Sequence, residues 1–150
     1  MTTPLALGDR QLTPHFRLSE FAVSAAHPDL VVPVPRDLIV SAVLLAEQLE
    51  VIRAAIGRPM QILSGYRSKT LNKTVGGSAT SQHTLMQAAD FTCTLIRDAF
   101  ESVLDLVKGG KLAHCGQIIY YPDQAFIHVA LISTRFPRAT PCVHWPAGGM

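Results

Sequence analysis

Charge is scarce in this sequence. Only 16% of its 150 residues are Asp, Glu, Lys or Arg, and thirteen basic against eleven acidic residues leave a formal charge of +2, scattered along the chain. That lacks the electrostatic footprint with which a domain holds nucleic acid, so DNA and RNA are not expected partners. Cysteine is also sparse: Cys93, Cys115 and Cys142 stand far apart without a CxxC pair. This argues against a disulfide framework and a thiolate zinc site, and the three read as reduced, mostly buried thiols. No apolar run approaches the length of a membrane span, and the start, MTTPLALGDRQLTP, has no basic n-region ahead of an apolar h-region. The expectation is a protein made in the cytoplasm without a signal peptide and not inserted into a membrane. Repeats and low-complexity tracts are absent as well.

Apolar residues, at 48%, are plentiful enough for a chain of this length to bury one core without disulfides or a structural metal, so residues 1–150 are expected to form a single domain. In the Pro-rich first 35 residues the segment HFRLSEF is the piece that should dock, through Phe16, Leu18 and Phe21, with Ser19 and Glu20 starting a helical turn. Beyond Pro35, Leu38, Ala42, Leu45, Leu49, Ile52 and Ile56 recur at steps of three and four, which predicts a helix bounded by Pro35 and by Gly57 with Pro59. MQILSGYR reads as a short strand, Met60 to Leu63, entering a Gly turn, and KTLNKTVGGSATSQH as an irregular loop. AADFTC reads as a second strand. Thr94 is a plausible N-cap for a second helix through Ile96, Phe100, Val103, Leu104 and Val107, ending at Gly109-Gly110. QIIYY, a Pro-Asp turn and AFIHVAL predict a β-hairpin. The order predicts an α+β domain, helices packed on a small, mainly antiparallel sheet.

A catalytic zinc site takes about three His or carboxylate ligands and leaves one position for water. In SQHTLMQAAD, His83 ends the loop and Asp90 starts a strand, while His128 lies in the last strand between Ile127 and Val129, which would face the other way into the core. The three fit the count. On spacing alone they also fit a surface histidine, a core histidine and a strand-edge aspartate.

Taken in order, HFRLSEF, the helix ending IRAAIG, SGYRS at 64 to 68, Asn72 with Gly76-Gly77, SQHTLMQAAD and IHVA resemble the zinc D-Ala-D-Ala carboxypeptidase family. That group includes phage endolysins and shares its fold with hedgehog and lysostaphin-type proteins. The resemblance covers residues 12–131 and leaves 132–150 as a C-terminal extension, in which Trp145 with His144 would cover the core or dock a partner. It implies that His83, Asp90 and His128 bind Zn²⁺ and that Arg67 holds the substrate carboxylate or a peptide carbonyl. It also implies that Ser81 and Gln82 position the substrate loop. These residue types suit the tasks: imidazole and carboxylate for zinc, a guanidinium fork for a carboxylate.

The pattern breaks at two places. Peptide hydrolysis needs a general base, which in related peptidases lies three residues before the last ligand or on the preceding strand. Those positions are Ala125 and Tyr121 here. Asp123, in the hairpin turn, is the nearest stand-in, although a Pro-Asp turn is common for its own sake. His114 and Glu101 are more distant options, and Asp98, Glu101 and Asp105 read as a solvated helix face. Met86 stands where the family has Gly; if that position needs a positive φ, Met costs on the order of 1 kcal/mol, or the loop takes another path.

The resemblance therefore implies a zinc peptidase that cuts peptidoglycan stem peptides next to a D-amino acid, of phage or prophage origin. It would act at the cell wall after release, or travel in a virion. The competing expectation is a catalytically impaired peptidase fold serving as a structural component among virion proteins.

Overall fold

A computed structural model of the protein describes residues 8–144. Trp145 and residues 1–7, on which the expectations about a leader and a C-terminal cover bear, lie outside the described residues. The chain opens with a small antiparallel pair, β1 (Gln11–Thr13) and β2 (Phe16–Arg17), and a 3-10 turn over Leu18–Phe21. Phe16, Leu18 and Phe21 are buried, as their apolar character predicts. Glu50 pins this piece to the first long helix by accepting hydrogen bonds from Thr13 Oγ1 (2.9 Å) and the His15 backbone N–H (2.6 Å).

That helix, α1 (Ile39–Ile56), follows a 3-10 turn at Arg36–Leu38 and ends at Gly57, whose φ of 71° provides the left-handed cap that glycine adopts without strain. Ala42, Leu45, Leu49, Ile52 and Ile56 form its buried face. The remaining elements are β3 (Gln61–Ser64), α2 (Lys69–Thr74), β4 (Ala88–Thr92), α3 (Ile96–Lys108), β5 (Cys115–Tyr121), β6 (Phe126–Leu131) and β7 (Thr140–Val143). Five of the strands form one sheet in the order β3-β4-β6-β5-β7. Every pair is antiparallel except β5 with β7, so the domain is α+β with a mixed sheet.

Four local expectations need correction. The stretch expected to be loop contains α2, because Ser68 Oγ caps it by accepting from the Leu71 N–H and Leu71 buries against the body. Thr94 is not the cap of α3: Leu95 occupies that position in the left-handed region with no side-chain cap, and Arg58 Nε donates to the Thr94 carbonyl instead. The parallel strand β7 was not foreseen, since Thr-Pro-Cys-Val carries no alternation. Of the three thiols only Cys115 is buried, where the lack of solvent pushes its pKa up to about 12; Cys93 is half-buried and Cys142 exposed.

The pleat of the sheet separates core from site. Successive side chains on a strand point to opposite faces. On one face Phe91, Ile118, Tyr120, Ile127 and Val129 are buried, and Phe100 of α3 packs its ring on Tyr120 at 4.9 Å between centroids. The alternate positions, Asp90 on β4, His128 on β6 and Gln117, Ile119 and Tyr121 on β5, line a cleft on the other face. Register does the rest: Asp90 pairs with His128 and Ile119 pairs with the same histidine, which sets a carboxylate, an imidazole and an apolar side chain in one row.

Candidate metal centre

The cleft has a volume of about 620 Å³ and is bordered by two loops, residues 77–83 and 133–136. Its floor contains the three residues singled out in the sequence. His83 Nε2 lies 3.5 Å from Asp90 Oδ1, His128 Nδ1 lies 2.8 Å from the same oxygen, and the three potential ligand atoms all fall within 4.8 Å of one another. The rings of His83 and His128 are 5.2 Å apart, centre to centre.

Two features suit this cluster to a cation. His83, only 2% exposed, places Nδ1 2.8 Å from the Gly65 carbonyl oxygen, a contact that requires the proton on Nδ1. Burial lowers the pKa of this imidazole, against the opposing pull of Asp90, so the neutral ring turns the lone pair of Nε2 toward a carboxylate. A backbone acceptor behind a histidine is how ligand tautomers are set in metal sites. At Asp90, burial by itself would favour the neutral acid, but the His128 Nδ1 contact at 2.8 Å, with the His83 imidazole beside the same oxygen, holds the carboxyl well below its usual range. An ionised oxygen between two imidazole nitrogens, all converging on one point, is a donor set that suits Zn²⁺.

The SGYR turn is built around a close approach. A Cβ on Gly65 would run into the Phe21 carbonyl oxygen and lie 2.7 Å from Phe21 Cα, so only glycine allows the turn to rest on the N-terminal segment. The Tyr66 N–H donates to that same Phe21 carbonyl at 2.8 Å, and the Arg67 N–H donates to the His83 carbonyl at 3.0 Å. The turn thus carries both the anchor of His83 and the Arg67 guanidinium, whose Nη2 sits 3.8 Å from Asp90 Oδ2. Asn72, buried at the start of the Gly-Gly loop, steadies the other side: its Nδ2 donates to the Ser78 carbonyl at 2.8 Å, and its Oδ1 lies 3.5 Å from Arg67 Nη1.

Ser81 and Gln82 border the cleft as expected, and each is also engaged in holding the loop. Ser81 Oγ accepts from the His83 N–H, and Gln82 Nε2 donates to the Leu131 carbonyl at 2.8 Å, tying the His83 loop to the end of β6. Met86 resolves the question of the missing glycine. It does adopt the left-handed conformation, φ 56°, and its side chain is fully buried. The strain is therefore offset by core packing. Met86→Ala is expected to cost about 2–5 kcal/mol from the lost side chain, and Met86→Gly to be the more stable of the two by about 1 kcal/mol, because the left-handed region penalises any Cβ. Chemical denaturation of both variants checks the order.

Asp123 is not brought to this cleft. It lies in the exposed hairpin turn and lines a separate hollow of about 170 Å³ with Tyr121, Gln124 and His144. Among the residues that line the main cleft, Asp90 is the single carboxylate. Sequence reasoning passed over two residues that do line it. Tyr121 was considered only as a missing base; its ring stacks on Phe126 at 4.5 Å, and burial together with the nearby Asp90 charge raises its pKa. Arg135 lies past the stretch where the motifs run, and nothing local marked it.

A cleft on a sheet face sets a cluster able to hold a metal ion next to a guanidinium that binds anions, as a metal-dependent hydrolase requires. The family described as Peptidase M15 matches residues 14–130, most of the chain, and the protein belongs to that family. No curated protein sequence matches the chain at a significant level. Among the described residues no helix is long and apolar enough to cross a membrane.

Proposed function

We propose that this protein is a zinc-dependent peptidase that cleaves peptide bonds of bacterial peptidoglycan next to a D-amino acid, as a phage or prophage lytic protein. We read the chain as one peptidase domain with the architecture shared by D-Ala-D-Ala carboxypeptidases and hedgehog-type proteins. The observation that carries the reading is the convergence of His83, Asp90 and His128 within 4.8 Å at the floor of a cleft that also contains Arg67. His83 Nε2, an Asp90 carboxylate oxygen and His128 Nδ1 would hold the ion. Zinc bound there supplies Lewis acidity toward the scissile carbonyl and a water of lowered pKa.

The chain's own groups supply orientation. Arg67 is mostly withdrawn from solvent, and its fork can donate directional hydrogen bonds to a carboxylate or peptide carbonyl. The Ser81 and Tyr121 hydroxyls border the same space as hydrogen-bond donors. Phe126, stacked on Tyr121, keeps that phenol in place.

The test is to incubate zinc-loaded protein with purified sacculi and identify released muropeptides by mass spectrometry, beside a His83→Ala control. Defined fragments absent from the control establish the enzyme and its bond. No release from several wall types, by protein that is folded and holds zinc, transfers the assignment to a non-catalytic structural module. In the same assay Asp123→Asn is expected to retain turnover within about twofold, since its side chain lies outside the cleft and a surface change of this kind rarely reaches a site. A fall of a hundredfold would place the general base at the hairpin tip.

A further inference from the structure

The cleft has two positively charged borders. One is Arg67, on the side of the Gly77–His83 loop; the other is Arg135, on the loop that follows β6. The two loops approach over different strands. The first is tied to β6 by the Gln82 bond to Leu131, whereas the second crosses β5 at Gly116, where a Cβ would collide with the Phe136 carbonyl oxygen and stand 2.9 Å from Ile132 Cα.

The Arg135 loop is built rather than loose. Ser133 and Phe136 close it on each other, the Ser133 N–H donating to the Phe136 carbonyl at 3.1 Å and the Phe136 N–H donating to Ser133 Oγ at 3.1 Å. The Ile132 N–H donates to the His114 carbonyl at 2.9 Å. Arg135 stacks its guanidinium on the Phe136 ring, 5.1 Å from the centroid, and forms no ion pair among the described residues. Stacking of this kind narrows the directions a guanidinium explores and leaves its N–H edge free for a ligand.

The charge balance of the cleft then has a consequence for substrate. Its one carboxylate, Asp90, is enclosed by two imidazoles, so two guanidiniums face the open space without a lining acid to neutralise the second. We propose that Arg135 is a specificity-determining residue that, together with Arg67, selects peptides bearing two carboxylates, one for each guanidinium that lines the cleft of the His-Asp-His cluster. The inference rests on the peptidase reading and adds the class of peptide. Arg135 lies beyond the stretch matched by the family.

The experiment uses two synthetic tetrapeptides with a D-residue at the central bond and free C-terminal carboxylates, identical except for glutamate or glutamine on the N-terminal side of that bond. Each is titrated into zinc-loaded wild type and Arg135→Gln by calorimetry, and KM and kcat are measured for both. Wild type is expected to bind the glutamate peptide about tenfold more tightly, the size of one charge-assisted hydrogen bond. Arg135→Gln should lose that preference, with the loss read in KM for the glutamate peptide and zinc content held, and Arg135→Lys should keep part of it. An equal glutamate-to-glutamine ratio in wild type and Arg135→Gln overturns the proposal. Wild type that binds with the expected preference but cleaves neither peptide sinks the peptidase reading and leaves the anion selectivity standing, so the two failures are distinct.

Discussion

His128→Ala is expected to abolish both zinc binding and peptide cleavage while leaving the fold in place. His128 is one of three donors converging on a single point, and its Nδ1 is 2.8 Å from Asp90 Oδ1. Loss of a mere supporting partner costs roughly 10–100-fold in metal affinity, so loss of a direct ligand should exceed that range. The side chain is mostly withdrawn from solvent but lies on the cleft face of β6, with Ile127 and Val129 retaining the core face. Removing it widens the cleft rather than hollowing the core, which separates a site effect from unfolding. Zinc titration with a competing chelator, circular dichroism and the sacculus assay together decide the matter. A variant that keeps native zinc affinity would mean that His128 is not a ligand.

Gly65→Ala is expected to damage stability and site together. The new methyl group meets backbone, not the far end of a flexible side chain, and that backbone is itself held by the Tyr66 to Phe21 hydrogen bond. Relief requires the SGYR turn to lift away from the N-terminal segment. Overpacking of this kind costs about 1–3 kcal/mol, more when the obstacle cannot move. Because the Gly65 carbonyl is the acceptor for His83 Nδ1, the shift also releases the tautomer and orientation of that imidazole. Zinc affinity should fall by roughly 10–100-fold even in the fraction that remains folded. A loss of stability with unchanged zinc affinity would show that the anchor is dispensable.

The second prediction explains why so much of the site was legible in the sequence. Two positions of S-G-Y-R are legible because side-chain identity matters there: Gly65 for the close approach to Phe21 and Arg67 for the guanidinium in the cleft, while the backbone N–H groups of Tyr66 and Arg67 fasten the turn to Phe21 and His83. Asn72 and the Gly-Gly pair are tied in the same way, through the Asn72 bonds to Ser78 and Gly77. Helix α1 and the β5-β6 hairpin were legible for a different reason, since their apolar periodicity matches the face each turns to the core.

Other features gave no local signal. Met86 reads as a defect beside a family that has Gly, and only its complete burial shows what offsets the left-handed strain. Asp123 is near His128 along the chain yet lines another hollow, because the hairpin turn carries it past Tyr121. Arg135 is far from every motif yet borders the cleft, because β7 pairs with β5 and the intervening chain must cross Gly116.

The sequence by itself determined the helix and hairpin of the core and the identity of the three clustered donors, and it marked Arg67 beside them. The helix and hairpin follow from periodicity, and the three donors and Arg67 from motifs that resemble those of the carboxypeptidase family. Tertiary structure alone decided that Asp90, His128 and Ile119 share a row, that Arg135 borders the cleft and that Asp123 does not. Those outcomes depend on the register between strands tens of residues apart, where a slip of one position would turn every side chain to the opposite face.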